Sequence, residues 1–141
     1  MKTINQLQDD IIEEFIMLPD WMDRYQLLID MGEGQAPLPE SDKTAANLID
    51  GCQSRVWLVC SRREDGRLHF EAESDALIVK GIITLLLSIL NDQTPQDILQ
   101  ADLYFLREIG LQENLSPTRS NGLLAMIKQI RCYALAFSTQ P

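Results

Sequence analysis

The stretch from Ala76 to Leu90 constrains the fold more than any other part of the chain. It is almost wholly apolar, with Lys80 as its single charge. A membrane-spanning helix needs roughly 20 apolar residues, so this run is too short to cross a bilayer. The reading that fits is a helix buried in the core of a folded domain. Ser74 or Asp75 is placed to cap its start.

The segments before it divide into two helices and a loop. Thr3, with Gln6 three residues on, predicts a capping box. Ile4, Leu7, Ile11, Ile12, Phe15 and Ile16 follow at helical spacing. Pro19 ends that helix, and Asp20 caps a second one carrying Trp21, Met22, Tyr25, Leu28 and Ile29, with Gly32 at the expected glycine stop. Two glycines and two prolines between residues 32 and 43 mark a connecting loop.

Strand signals come next. Val56-Trp57-Leu58-Val59 is rich in strand formers. Leu68, Phe70 and Ala72 alternate with His69, Glu71 and Glu73, and Glu64-Asp65-Gly66 between the two runs is a hairpin signal. A shorter extended piece, Asn47-Leu48-Ile49, makes a three-stranded antiparallel sheet the economical expectation. After the apolar helix, Thr94-Pro95 and Ser116-Pro117 each place a cap before a proline at the first helical position. Between them Asp102 to Ile109 forms a short amphipathic segment stopped by Gly110. The last helix runs through Leu124, Ile127, Ile130 and Leu135. The reading is one α+β domain over residues 1–141, its sheet packed against helices, without internal repeats.

Charge removes whole classes of function. The formal net charge is -9, and a phosphate backbone or an anionic membrane surface requires clustered Lys and Arg. The polar opening residues lack the apolar core of a signal peptide. With an odd cysteine count (Cys52, Cys60 and Cys132), they indicate reduced thiols in the cytoplasm.

Cys52 stands apart from the other two by context. It lies in Asp50-Gly51-Cys52-Gln53-Ser54, polar and next to a glycine that frees the backbone for a turn, so the thiol belongs at the tip of a loop. Cys60 falls in the apolar strand and Cys132 in the last helix, where a cysteine usually behaves as a small core residue. Context alone leaves two readings of Cys52, a functional thiol and an incidental loop thiol. No C-x-x-C pair supports zinc, and His69, the sole histidine, has nothing to place it beside Cys52 as a base. Asp9, Asp10, Glu13 and Glu14 read as a solvated helix face. An unactivated thiol of pKa about 8.5 is only a few per cent thiolate at neutral pH, which suits an acceptor whose site a partner completes better than a free-standing enzyme.

Four blocks, in order along nearly the whole chain, resemble the SufE family: Asp23-Arg24-Tyr25, Gly51 to Leu58, Ser74 to Gly81 and Leu115 to Gly122. The closely similar CsdE proteins share them. The resemblance implies helices packed on a three-stranded antiparallel sheet and a partner, a SufS-like or CsdA-like cysteine desulfurase. That partner holds the pyridoxal phosphate, so no cofactor is expected on this chain. Carried over by motif, Cys52 is the persulfide acceptor, Arg119 a candidate to assist transfer and Asp75 a candidate near the acceptor loop. The sulfur then passes to an iron–sulfur scaffold. Asp75 also suits a helix N-terminus whatever the function. Arg119 sits in a first turn, where a cation is disfavoured by roughly 0.3–1 kcal/mol, so its placement asks for a reason. The rival readings are an iron–sulfur or zinc assembly scaffold, which needs ligands converging on one point, and an interaction module in which the cysteine plays no part.

Overall fold

The first helix starts where its capping residues put it. Thr3 Oγ1 accepts from the Gln6 amide at 3.1 Å, and Gln6 Oε1 accepts from the Thr3 amide at 2.9 Å, satisfying two donors the helix start would leave bare. The computed structural model describes residues 1–139; Gln140 and Pro141, the end of the expected domain, lie outside the described residues. Helices α1 (Ile4–Ile16) and α2 (Trp21–Glu33) lead through two 3-10 turns, Glu40–Asp42 and Ala45–Asn47, to strands β1 (Val56–Arg62) and β2 (Leu68–Ser74). Helices α3 (Leu77–Leu90), α4 (Pro95–Gln100), α5 (Phe105–Glu108) and α6 (Pro117–Ser138) complete the order. The result is an α+β domain around one core.

The apolar run forms the centre of that core. Ile82, Ile83, Leu85, Leu86, Ile89 and Leu90 of α3 are all buried, and the helix touches α1, α2, β2 and α6. Its lysine is accommodated: Lys80 Nζ meets Glu73 Oε1 of β2 at 2.9 Å. Burial pushes the Glu73 carboxyl up, but the bond and charge of Lys80 outweigh it and hold the pKa below its ordinary value. Among the described residues no helix is long and apolar enough to cross a membrane.

Backbone proximity fixes how α3 lies on α2. A Cβ at Gly81 would collide with the Leu28 carbonyl group, and one at Gly32 would stand 2.9 Å from the Gly81 nitrogen. Gly32 is therefore not the expected helix stop. It is buried inside α2, which continues to Glu33 and ends on Gly34. The Asp23-Arg24-Tyr25 block clamps the first half of α2. Arg24 donates to the Leu18 and Ile109 carbonyls at 2.6 and 3.1 Å and stacks on Trp21, while the Tyr25 hydroxyl donates to the Asn114 carbonyl.

The sheet has two strands, not three. β1 and β2 pair antiparallel from Val56↔Ser74 to Arg62↔Leu68, joined by a turn in which Gly66 takes φ 88° and Arg63 N donates to Arg67 O at 2.8 Å. The expected third piece stops short because Asn47 closes a 3-10 turn, its side chain donating to Asp42 O at 2.8 Å. Only a Leu48↔Trp57 bridge and one bond from Ile49 N to Val56 O remain. The far edge of β2 is covered too: the Asn91 side-chain amide bonds both Phe70 N and Phe70 O, at 2.7 and 3.1 Å, a guard against edge-to-edge pairing.

Three further expectations shift. The segment from Asp102 to Ile109 is helical only at Phe105–Glu108, ended by Gly110 at φ 67°. Cys132 is exposed, so it is not a core residue. On α6, Ile127 and Ile130 are buried as the spacing requires, whereas Leu124 and Leu135 are 50% and 56% exposed.

The glycine contact generates a test. Gly81→Ala should cost about 3 kcal/mol of unfolding free energy through overpacking against fixed backbone, read as a lower urea midpoint at unchanged slope. Gly34→Ala, whose Cβ would meet only ordinary contacts at 3.6 Å, should stay within about 0.5 kcal/mol of the parent.

Candidate functional site

The loop bearing Cys52 is held at both ends. At its start the chain turns at Gly51, φ 91°, a conformation L side chains rarely adopt; a Cβ there would also press on Ala125 at 3.3 Å. At its far root, Asp75 takes a place other than the helix-capping one. It does not cap α3: the N-cap is Ala76, and Ser74 Oγ accepts from the Ala76 amide at 3.2 Å. Instead Asp75 Oδ1 accepts from the Arg55 amide at 3.0 Å, and Asp75 N donates to Arg55 O at 3.3 Å. Asp75 is thus a two-way tie between the loop and the β2–α3 corner.

The thiol points inward. Cys52 Sγ donates to the Gly122 carbonyl of α6 at 3.5 Å, and a Cβ at Gly122 would stand 3.5 Å from Sγ, in ordinary contact. Burial pushes the thiol pKa above its ordinary value, so the parked residue is a neutral thiol. Around it lie Ser54, Val79, Arg119, Gly122 and Met126, with about 20 Å³ of free space. That free space holds one water-sized guest, and the sulfur beside it is half-buried.

Arg119 and Cys52, far apart in sequence, line the same pocket. The Arg119 backbone amide donates to the capping Ser116 Oγ at 3.3 Å, which sets the first turn of α6. Its exposed guanidinium makes no hydrogen bond or ion pair among the described residues. It is a planar cation at the rim, available to an anion that the resting protein does not supply.

The other candidates lie elsewhere. Cys60, on β1, is pushed up to about 12 by burial. His69 stands near the hairpin end of β2, away from the Cys52 loop that precedes Val56. Its Nδ1 is 3.2 Å from Asp92 Oδ1, which Arg63 Nε holds at 2.6 Å. Among the described residues no group of His, Cys, Asp and Glu side chains converges as metal ligands. Sequence reasoning missed Gly122 and Arg55 as parts of the site, although both lie in the blocks that carry the family resemblance. A glycine within a helix costs about 1 kcal/mol against alanine, and that was the available signal for Gly122.

A family model described as SufE, Fe-S metabolism associated domain, matches residues 9–134. An uncharacterized SufE-like protein of Rhizobium meliloti (strain 1021) is 41% identical over 130 residues, covering 89% of this chain and 93% of that protein. The solution structure of a hypothetical protein from Thermus thermophilus superposes with a TM-score of 0.77 at 24% identity, over 95% of this chain and 97% of the other, which establishes the fold.

Thiol labelling checks the resting geometry. A small alkylating agent at mild pH should modify Cys132 first, Cys52 more slowly and Cys60 last. Asp75→Ala should speed Cys52 labelling about tenfold by removing a charge-assisted bond, with Asp75→Asn intermediate and Cys60 unchanged. Equal rates for Cys52 in all three proteins would show that Asp75 does not restrain the loop.

Proposed function

The chain belongs to the SufE family, and on that premise we propose that Cys52 accepts persulfide sulfur from a pyridoxal phosphate-dependent cysteine desulfurase, stimulates that enzyme, and hands the sulfur on to iron–sulfur cluster assembly. The observation that carries this reading is the pairing of a parked neutral thiol with an unpaired arginine at the rim of the same small pocket. Such a site is incomplete alone and makes chemical sense when a partner draws the loop out.

The step is an exchange without net redox change. Cys52 first loses its proton to solvent, which withdrawal from its half-buried position favours because the burial penalty on the charged form is lifted. The thiolate then attacks the outer sulfur of the desulfurase's cysteine persulfide. The partner's sulfur–sulfur bond breaks, its cysteine leaves as thiolate, and a new sulfur–sulfur bond forms on Cys52. Arg119 stabilises the anionic sulfur during this exchange. Asp75 acts as a positioning residue, setting how readily the loop leaves its rest position. Retraction onto Gly122 then shelters the sulfur from oxidants. The protein works as a sulfur-transfer partner rather than a free-standing enzyme, and its reduced thiols suit the cytoplasm.

The test uses a purified SufS-like or CsdA-like desulfurase with cysteine. Mass spectrometry should find one added sulfur on Cys52, and Cys52→Ser should abolish both this product and stimulation of the desulfurase. Cys132→Ala, at an exposed site, should leave both at the parent level. Arg119→Ala should fold normally and still bind the desulfurase yet lower the yield of Cys52 persulfide. Arg119→Lys should rescue only in part, since an ammonium lacks the planar fork of donors. Full stimulation by Cys52→Ser would overturn the acceptor role, and wild-type transfer by Arg119→Ala would remove Arg119 from it.

A further inference from the structure

The outer face of α6 is apolar where solvent should meet polar side chains. Leu124 and Leu135 are 50% and 56% exposed, and together with Leu99 of α4 they line a groove whose other walls are Lys128, Arg131 and Cys132. Ile127, buried, lies beneath. At 100° per residue the groove face is turned away from Gly122 and Met126, the α6 residues that wall the Cys52 pocket. The groove is therefore a separate surface that stays open while the Cys52 loop is engaged.

Its charge contradicts the rest of the molecule. The chain carries 21 acidic and 12 basic side chains, yet the groove lining holds two cations and no carboxylate. Lys128 is exposed and makes no ion pair among the described residues; Arg131 donates to Ala101 O at 2.9 Å and keeps its charge. From Leu124 to Leu135 the stripe runs about 16 Å, the length of three helical turns.

We infer that this groove is a docking site for an acidic amphipathic helix of another protein, one that seats leucine-type side chains at i, i+3, i+4 and i+7 between the leucines and sets carboxylates against Lys128 and Arg131. A second copy of this chain fits poorly. The antiparallel pairing that stacks Leu124 on Leu135 also stacks Lys128 on Arg131, and a parallel pairing sets each cation on itself, so both bring like charges together in an apolar seam. An acidic helix satisfies the apolar stripe and the cations at once. With Cys52 turned to the opposite side of α6, such a partner can be held during sulfur exchange.

The probe is a synthetic amphipathic helical peptide with leucines at that spacing and glutamates elsewhere, labelled and followed by fluorescence anisotropy on the full chain. It should bind, weaken as salt rises, and bind about tenfold less well to the Lys128→Glu/Arg131→Glu variant. Leu124→Asp, an exposed change that leaves the fold intact by circular dichroism, should also weaken it, while persulfide formation on Cys52 stays at the parent level. A peptide with the same leucines and lysines in place of glutamates should bind more weakly. No binding of the acidic peptide, or equal binding of both peptides, overturns the inference. So does concentration-dependent dimerisation that Leu124→Asp abolishes, which assigns the face to a second copy. Binding of anionic lipid vesicles through Lys128 and Arg131, with no preference for the acidic peptide, overturns it as well.

Discussion

The contact of α2 with α3, backbone on backbone at Gly32 and Gly81, sets the position of the parts that form the site. With the Leu28 carbonyl occupying the space a Cβ of Gly81 would need, α3 can lie against α2 in one way only. Its position carries the β2–α3 corner, and with it Asp75. Asp75 holds Arg55, Arg55 closes the root of the Cys52 loop, and the loop lays its thiol on Gly122. Two glycines without side chains, Gly32 and Gly81, thus provide the close approach from which the later steps to the sulfur follow.

The site combines opposing electrostatic demands. A thiol at rest is best neutral and dry, because the thiolate is the form that oxidises. A thiol in exchange must be charged. The fold separates the two in space: burial pushes the Cys52 pKa up in the retracted position, while the unpaired Arg119 waits at the rim. The loop is held by few groups: the Asp75 carboxylate and amide on Arg55 and the thiol on the Gly122 carbonyl.

Charge is also distributed unevenly over the surface. The acidic excess lies over helices such as α1, whereas the α6 groove carries cations and leucines. One helix thus presents two different faces, one walling the Cys52 pocket and the other bare.

Much of this was legible in order. Capping pairs such as Thr3 with Gln6, the proline-led starts at Pro95 and Pro117 and the alternation of β2 from Leu68 to Ala72 are local signals, decided within one turn or one strand pair, and each appears in the structure; the alternation breaks at Glu73, which is buried against Lys80. The loop position of Cys52 was legible because a polar Gly-Cys segment differs from the apolar settings of Cys60 and Cys132, although that contrast placed Cys132 wrongly: one helical face cannot announce whether anything packs on it. What the tertiary structure alone decided is long-range. Gly32 reads as a stop until Gly81 is found against it, Asp75 reads as a cap until Arg55 offers its amide, and Asn47 to Ile49 reads as a strand until the 3-10 turn closes. In the first two cases a partner distant in sequence, Gly81 or Arg55, decides the outcome, whereas Asn47 bonds Asp42 only five residues back, so that turn is local.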